Sequence, residues 1–427
     1  MTQNILIKNG RIVDPSQGID ELGSFIIKNG KVYRFKAGDK TPADCNTINA
    51  TGKVVCPGFI DLHCHLREPG FEEKETIATG GQAAAKGGFT TICCMPNTEP
   101  PLDIQASIDY VKRAAKESPV RILPIGCISY GRKGQELAEM GELAQAGVAG
   151  YSDDGDPVAD SSLLLKAMEY SLNFGLPIIE HCEDKSLSAA GQMNEGITAT
   201  RLGLKGIPAA AEEVMVARDI ALTATSGASL HIAHVSTAGS VELIRAAKEK
   251  GVKVTAEVTP HHLTLTEEAL LGYDTNAKVS PPLRTNKDIE ALVAGLKDGT
   301  IDAIATDHAP HTAAEKNCEF AFAPCGISGF ETALGALMGL VHTGKLGLPL
   351  LISKLTAEPA AIINKDSGSL KDGATADITI IDIDKKWQVE TDKFLSKGKN
   401  TPLQGKTLKG KVTATIVGGE IVYEDED

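Results

Sequence analysis

From about Cys56 to Pro359 the chain repeats one pattern eight times, an apolar strand-like run followed by a helix-like stretch, and no other feature narrows the fold so far. The strand runs are VVCPGFIDLH, FTTICCMP, VRILPIGCI, GVAGYSDD, LPIIEH, SLHIAHV, VKVTAEVTP and IDAIATDH. Between them lie stretches such as AEEVMVARDIALTATSG, GSVELIRAAKEKG and NKDIEALVAGLKDG, whose closing glycines suit helix C-termini. Eight such units predict an α/β fold, a closed (β/α)8 TIM-like barrel whose functional groups stand at the carboxyl ends of its parallel strands. An open doubly wound sheet fits less well. The first strand-to-helix turn lacks GxGxxG, and a flat sheet does not converge several strand ends on one point.

Metal-capable side chains end five of the strands: His63 and His65, one of Asp153 and Asp154, His181, His234 and Asp307. Imidazole and carboxylate are the ligands of zinc sites that keep a position open for chemistry, whereas closed structural sites favour cysteine. Strand alternation sends Asp61, His63 and His65 to one side and Leu62 and Cys64 to the other. Cys64 and Cys182 are therefore expected to be packing residues. Parity does not choose between Asp153 and Asp154, because the strand end can bend at Gly155. His231 and His234 are an odd number of residues apart and should face opposite ways. His234, nearer the carboxyl end, is the expected ligand, and His231 a satisfied histidine against a helix. His261 and His262 stand at the mouth, either behind the ligands or in a structural role, and His342, inside LMGLVHTGK, is expected to do no chemistry. Asp307 ends the last strand, where a carboxylate beside the ion can carry a proton to a leaving nitrogen, so it is the expected general acid/base. The long loop that follows suits a cover over substrate.

Length and composition bound the rest. A chain of 427 residues holds one barrel and something smaller. Both ends read as β structure: IIKNGKVYRF and ILIKNGRIVD each carry Asn-Gly as a hairpin turn, and ADITIIDID and VTATIVGGEIVYED supply more strands. Neither end folds alone, so residues 1–56 and 360–427 are expected to form a small β-sandwich together, flanking a catalytic barrel over 57–359. No uninterrupted apolar run reaches about 18 residues, and the N-terminus has no signal-peptide order, which predicts a cytoplasmic protein without a membrane partner. Nine cysteines with no paired CxxC spacing read as reduced thiols. A net charge of −13 disfavours nucleic acid and puts the burden of holding any anionic substrate on a few placed cations, of which Arg67 lies two residues past His65.

The motifs PGFIDLHCHLREPG, MPNTEPP, YSDDGDPV, IIEHCED, HIAHVST, EVTPHHL, PPLR and ATDHAPH follow in order over essentially the whole chain. On them the chain resembles the dihydroorotases of the amidohydrolase superfamily, specifically the long bacterial type, built on a metallo-dependent hydrolase barrel. The resemblance implies the reversible zinc-dependent closure of N-carbamoyl-L-aspartate to L-dihydroorotate in pyrimidine (UMP) synthesis. It implies that His63 and His65 hold one zinc with Asp307, that His181 and His234 hold a second, and that Asp154 bridges them in place of the carboxylated lysine of many relatives. One or two ions per chain are compatible with it, and two are expected. The implied substrate contacts are His65, Leu66, Arg67, Asn97, Ser280, His311 and the backbone around Cys325 and Gly326. Arg67 offers a substrate carboxylate a bidentate, permanently charged partner. Ser280 stands where relatives often carry Asn, and Cys325 where an aromatic is common. A homodimer is expected, and association with aspartate transcarbamoylase is left open, as is an inactive relative serving that partner. The other competing reading is an allantoinase or hydantoinase; Arg67 and the aspartate of DDG favour dihydroorotase.

Overall fold

The computed structural model describes residues 4–36, 38–39 and 45–425. Seven parallel strands form the barrel wall in two arcs. Phe59–Cys64, Phe89–Cys94 and Arg121–Pro124 make one; Ile178–Glu180, Leu230–Ile232, Val254–Val258 and Ala303–Ile304 make the other. Isolated bridges close both gaps. Tyr151 pairs with Gly126 on one side and Ile178 on the other, taking the place of a fourth strand, and His308 pairs with Cys64 across the second seam. The run GVAGYSDD is therefore one paired residue, bracketed by Gly147 at φ 92° and Gly155 at φ 86°.

Ile60, Leu62, Cys93, Ile125, Ile179, Ala233 and Ala303 come from around the whole ring yet pack together, so they fill the barrel axis. Residues on the other face of the same strands, such as Phe59, Ile92, Leu230, Ile232 and Val258, pack against the outer helices. Those helices start and stop where the sequence says. Capping boxes at Thr76 and Thr285 open Ile77–Lys86 and Asn286–Asp298, and Gly227 and Gly299 in the left-handed region close Ala210–Ser226 and Asn286–Asp298. Among the described residues no helix is long and apolar enough to cross a membrane.

Both chain termini build one eight-stranded sheet that makes the sandwich. Its order runs Glu420–Glu424, Thr407–Val417, Ile378–Gln388, Val54–Pro57, Asn4–Asp14, Ile19–Lys28, Lys31–Arg34, with Cys45–Asn49 also on Asn4–Asp14. The two ends of the chain meet where Val54–Pro57 lies antiparallel to Ile378–Ile381, and a shared core of Ile5, Ile7, Phe25, Val55, Ile378 and Ile416 gives each the apolar burial it lacks alone.

Two local readings change. VVCPGFIDLH is not one strand: Val54–Pro57 belongs to the terminal sheet and Phe59–Cys64 to the barrel. The chain switches at Gly58, where a Cβ would fall 2.3 Å from the Thr90 side chain. The two Asn-Gly pairs also differ. Asn29 and Gly30, at φ 50° and 72°, make the expected hairpin turn. Asn9-Gly10 instead sits inside the single strand Asn4–Asp14, with Asn9 at φ 59° and the register slipping between Ile7 and Gly10. A Cβ on Gly10 would lie 2.5 Å from Val55 Cγ2, so here the dipeptide makes a bulge that lets a neighbouring strand approach.

Candidate metal centre

Strand alternation breaks at the site. In the first barrel strand Leu62 fills the axis while Cys64 packs against the outer helices, and the register slips between Asp61 and Cys64. The bulge turns His63 and His65 toward one point. Asp61 goes elsewhere, accepting from Thr306 N at 2.7 Å and Thr306 Oγ1 at 2.6 Å, and so ties the first strand to the last just before Asp307. His231 and His234 do not face opposite ways. Leu230 and Ile232 point outward, so His231 between them points to the axis, and a left-handed turn at His234, φ 33°, brings that ring inward too. His231 is satisfied as expected, but by strand neighbours rather than a helix: Nδ1 lies 2.9 Å from Thr255 Oγ1 and Nε2 3.1 Å from Glu257 Oε2. Arg67 at φ 62° and Asp307 at φ 45° share this backbone region, rare outside glycine and concentrated at functional sites.

The buried donors converge. His63 Nε2 is 3.3 Å from Asp154 Oδ1 and 3.7 Å from Asp307 Oδ1; His65 Nε2 is 3.5 Å from Asp154 Oδ2 and 3.2 Å from Asp307 Oδ1. His234 Nε2 and His181 Nδ1 approach Asp154 Oδ1 to 3.7 and 3.9 Å and each other to 2.9 Å. Ligand atoms around one tetrahedral zinc stand about 3.3 Å apart, which is the spacing found here. His63 Nε2 and Asp154 Oδ1 are buried without a hydrogen-bond partner, a costly state that an ion between them relieves. The donor set therefore fits a metal, with His63, His65 and Asp307 in one group and His63, Asp154 and His234 in another. The Asp154 carboxylate turns one oxygen toward His65 and the other toward His63, His181 and His234. Asp153 faces away and holds the preceding turn, accepting from Ile128 N and Ser129 N.

Three of the four candidate ligand rings are steered from behind, whereas His234 Nδ1 is buried without a partner. Glu257 Oε1 lies 2.9 Å from His63 Nδ1, Asn97 Oδ1 2.9 Å from His65 Nδ1, and Glu183 Oε2 3.2 Å from His181 Nε2. Such partners fix ring orientation and raise ligand basicity. Burial opposes ionisation of Glu257, but hydrogen bonds from His231 and His63 outweigh it and draw its pKa down to about 2. Burial likewise opposes the charge on Asp307, and the bond from His65 with the charge of His63 overcomes it, holding the carboxyl well below its usual range.

A cleft of about 460 Å3 opens over the ligands. His65, Arg67, Asn97, Ser280, Cys325 and Gly326 line it as the sequence suggests. Glu183, Lys185, Gln192 and Lys278 line it too, and the sequence reading missed them. Only Glu183 carried a signal, two residues after His181. Lys278 is committed to the wall, its ammonium 2.7 Å from Gln192 Oε1 and 2.8 Å from Phe320 O. The Leu66 side chain turns out of the cleft into the helix-packed core, against Gly80. His311 stands behind the wall, its Nε2 3.2 Å from an Arg67 terminal nitrogen and 2.9 Å from Cys325 O. His262 is structural, bound to Thr259 Oγ1 and Pro281 O, and His342 is exposed beside Ile383 O. Cys64 and Cys182 are buried. Another cleft, of about 320 Å3 beside Trp387 and Phe394, shares none of the ligand residues.

A Dihydro-orotase-like family model matches residues 52–240. The chain is 52% identical over 422 residues to a dihydroorotase of Geobacter sp. (strain M21), and 54% identical over 423 residues to one of Pelotomaculum thermopropionicum, each match covering 99% of both chains. The chain belongs to the dihydroorotase family. Solved structures of similar fold include the L-hydantoinase of Arthrobacter aurescens, TM-score 0.89 at 26% identity over 100% of this chain and 97% of that one. The dihydropyrimidinase of Brevibacillus agri NCHU1002 follows at TM-score 0.86 and 25% identity, over 99% of this chain and 96% of that one. They share the barrel with its terminal sandwich. Identity above one half over the full length aligns this family member with the dihydroorotases rather than with the hydantoinases.

Proposed function

We infer that this chain is a dihydroorotase, a cyclic amide hydrolase that interconverts N-carbamoyl-L-aspartate and L-dihydroorotate in pyrimidine synthesis. The observation that carries the reading is a ring of buried histidines and carboxylates facing one cleft, in a chain half identical along its whole length to named dihydroorotases. His63, His65 and Asp307 would hold one zinc, and His181 and His234 a second, with Asp154 between them. Zinc there supplies Lewis acidity, lowering the pKa of water and polarising an amide carbonyl.

The side chains do the rest. Asp307, ionised and at the floor of the cleft, takes a proton from the attacking water and delivers it to the ring nitrogen, and ring closure runs the same path backwards. Asn97 spends its oxygen on His65, which leaves its NH2 to donate to a substrate carboxylate. Arg67 is held by Pro310 O at 3.2 Å from Nε and presents the guanidinium to that same carboxylate. Arg67→Met is expected to raise KM for dihydroorotate about tenfold to a hundredfold, the worth of charge-assisted hydrogen bonds of roughly 1.5–3 kcal/mol, with kcat changed less. Steady-state kinetics at saturating zinc measure it, and an unchanged KM removes the carboxylate clamp.

The reaction itself is tested by offering the purified chain dihydroorotate, hydantoin and allantoin. Dihydroorotate is expected to be the fastest substrate; preference for either of the others assigns the chain to another amidase. The assay uses the isolated chain with added zinc, so turnover without aspartate transcarbamoylase also shows that no such partner is required. We place the enzyme in the cytoplasm, in keeping with nine unpaired cysteines.

A further inference from the structure

The loop after the last barrel strand brings Cys325 and Gly326 to the cleft and His311 to Arg67, and both of its ends are tied to one amide. Asn400 is 4% exposed. Its Oδ1 accepts from His311 N at 2.8 Å and Ser328 Oγ at 2.9 Å, and its Nδ2 donates to Ala309 O at 3.1 Å and Gly326 O at 2.9 Å. Two donors and two acceptors are the full capacity of a side-chain amide, and all are spent on the loop's entrance at 309–311 and exit at 326–328. Asn400 belongs to neither barrel nor loop. It lies in the segment between the terminal-sheet strands Ile378–Gln388 and Thr407–Val417. That segment rests flush on the loop, since a Cβ on Gly398 would fall 2.4 Å from Pro310 Cβ and 2.9 Å from His311 N. It is anchored from behind by Ser396, whose hydroxyl donates at 2.5 Å to the fully buried Glu75.

We propose that Asn400 is a positioning residue for substrate binding: through this four-point tie the C-terminal half of the terminal sheet fixes the loop 309–328. The loop in turn holds Pro310 O and His311, the two groups that orient Arg67. The proposal rests on the reading of Arg67 as the partner of the substrate carboxylate. An aspartate at position 400 keeps the shape but puts an oxygen where the NH2 faced the carbonyls of Ala309 and Gly326, so one of the two ties at each end of the loop is lost and replaced by repulsion, while those from His311 N and Ser328 Oγ remain.

The test uses the zinc-loaded full chain and two variants, Asn400→Asp and Gly398→Ala, the second reaching the same contact by sterics if the first does not fold. Amide hydrogen exchange over residues 309–328 is expected to quicken in either variant, with exchange in the ligand-bearing strands and the zinc content unchanged. KM for L-dihydroorotate is expected to rise about tenfold to a hundredfold while kcat stays within about threefold, the split that follows when an interaction made equally in the ground and transition states is lost. A merely structural role lowers the melting temperature without that split. Exchange over 309–328 equal to the parent's in both variants overturns the tie. Faster exchange with KM unmoved overturns the link to substrate binding. Dihydroorotate turnover by the parent chain is measured first, so failure of the dihydroorotase reading shows before any variant is compared.

Discussion

Replacing Asp307 with asparagine is expected to lower kcat by about 10²- to 10⁴-fold, the usual worth of a positioned acid or base, while most of the zinc stays bound. Asparagine keeps the volume and one oxygen toward His65, now 3.2 Å from Asp307 Oδ1, and it tolerates the left-handed φ of 45° that most residues resist. What it loses is the charge that accepts a proton. The measurement is kcat beside elemental zinc on the same sample. Near-normal turnover removes Asp307 from the mechanism, and zinc lost in step with activity makes it a ligand only.

Glu257→Gln is expected to weaken zinc binding about tenfold to a hundredfold, the range found when the outer partner of a ligand histidine is changed. One carboxylate here serves three residues. Oε1 takes His63 Nδ1 at 2.9 Å and the backbone N of His234 at 3.4 Å, and Oε2 takes His231 Nε2 at 3.1 Å. An amide keeps the shape but removes the negative charge that makes His63 a better ligand, and it puts an NH2 where one of those donors needs an oxygen. Competition with a chelating dye reads the affinity directly. The same zinc affinity in Glu257→Gln and the parent would show that His63 is held without it.

The barrel was legible because alternating strand and helix patterns report burial on the face of an element, and the capping residues that bound the helices act locally. The candidate ligands that converge were legible because imidazole and carboxylate at strand ends have few structural uses. Parity failed where the backbone leaves the regular strand: the bulge between Asp61 and Cys64 parts Asp61 from His63 and His65, and the left-handed turn at His234 brings that ring to the same side as His231. The same Asn-Gly pair makes a turn at Asn29 and a bulge at Asn9, a difference set by a strand that lies next to it only in the fold. Glu257, Lys278 and Asn400 stayed hidden for a related reason. Each acts through partners dozens of residues away, and an acid in a strand or an amide in a loop has no local pattern that names its partner.

The central claim is that the four histidines and two aspartates at the strand ends hold the ion on which cyclic amide hydrolysis depends. The most direct test strips the purified chain with a chelator, returns zinc in measured steps, and follows bound metal and dihydroorotate turnover together. Turnover absent from the stripped chain and restored up to about two zinc ions per chain, with His63→Ala and His234→Ala each binding less, is the predicted result. A stripped chain that still turns over dihydroorotate, or zinc uptake untouched by both substitutions, contradicts it.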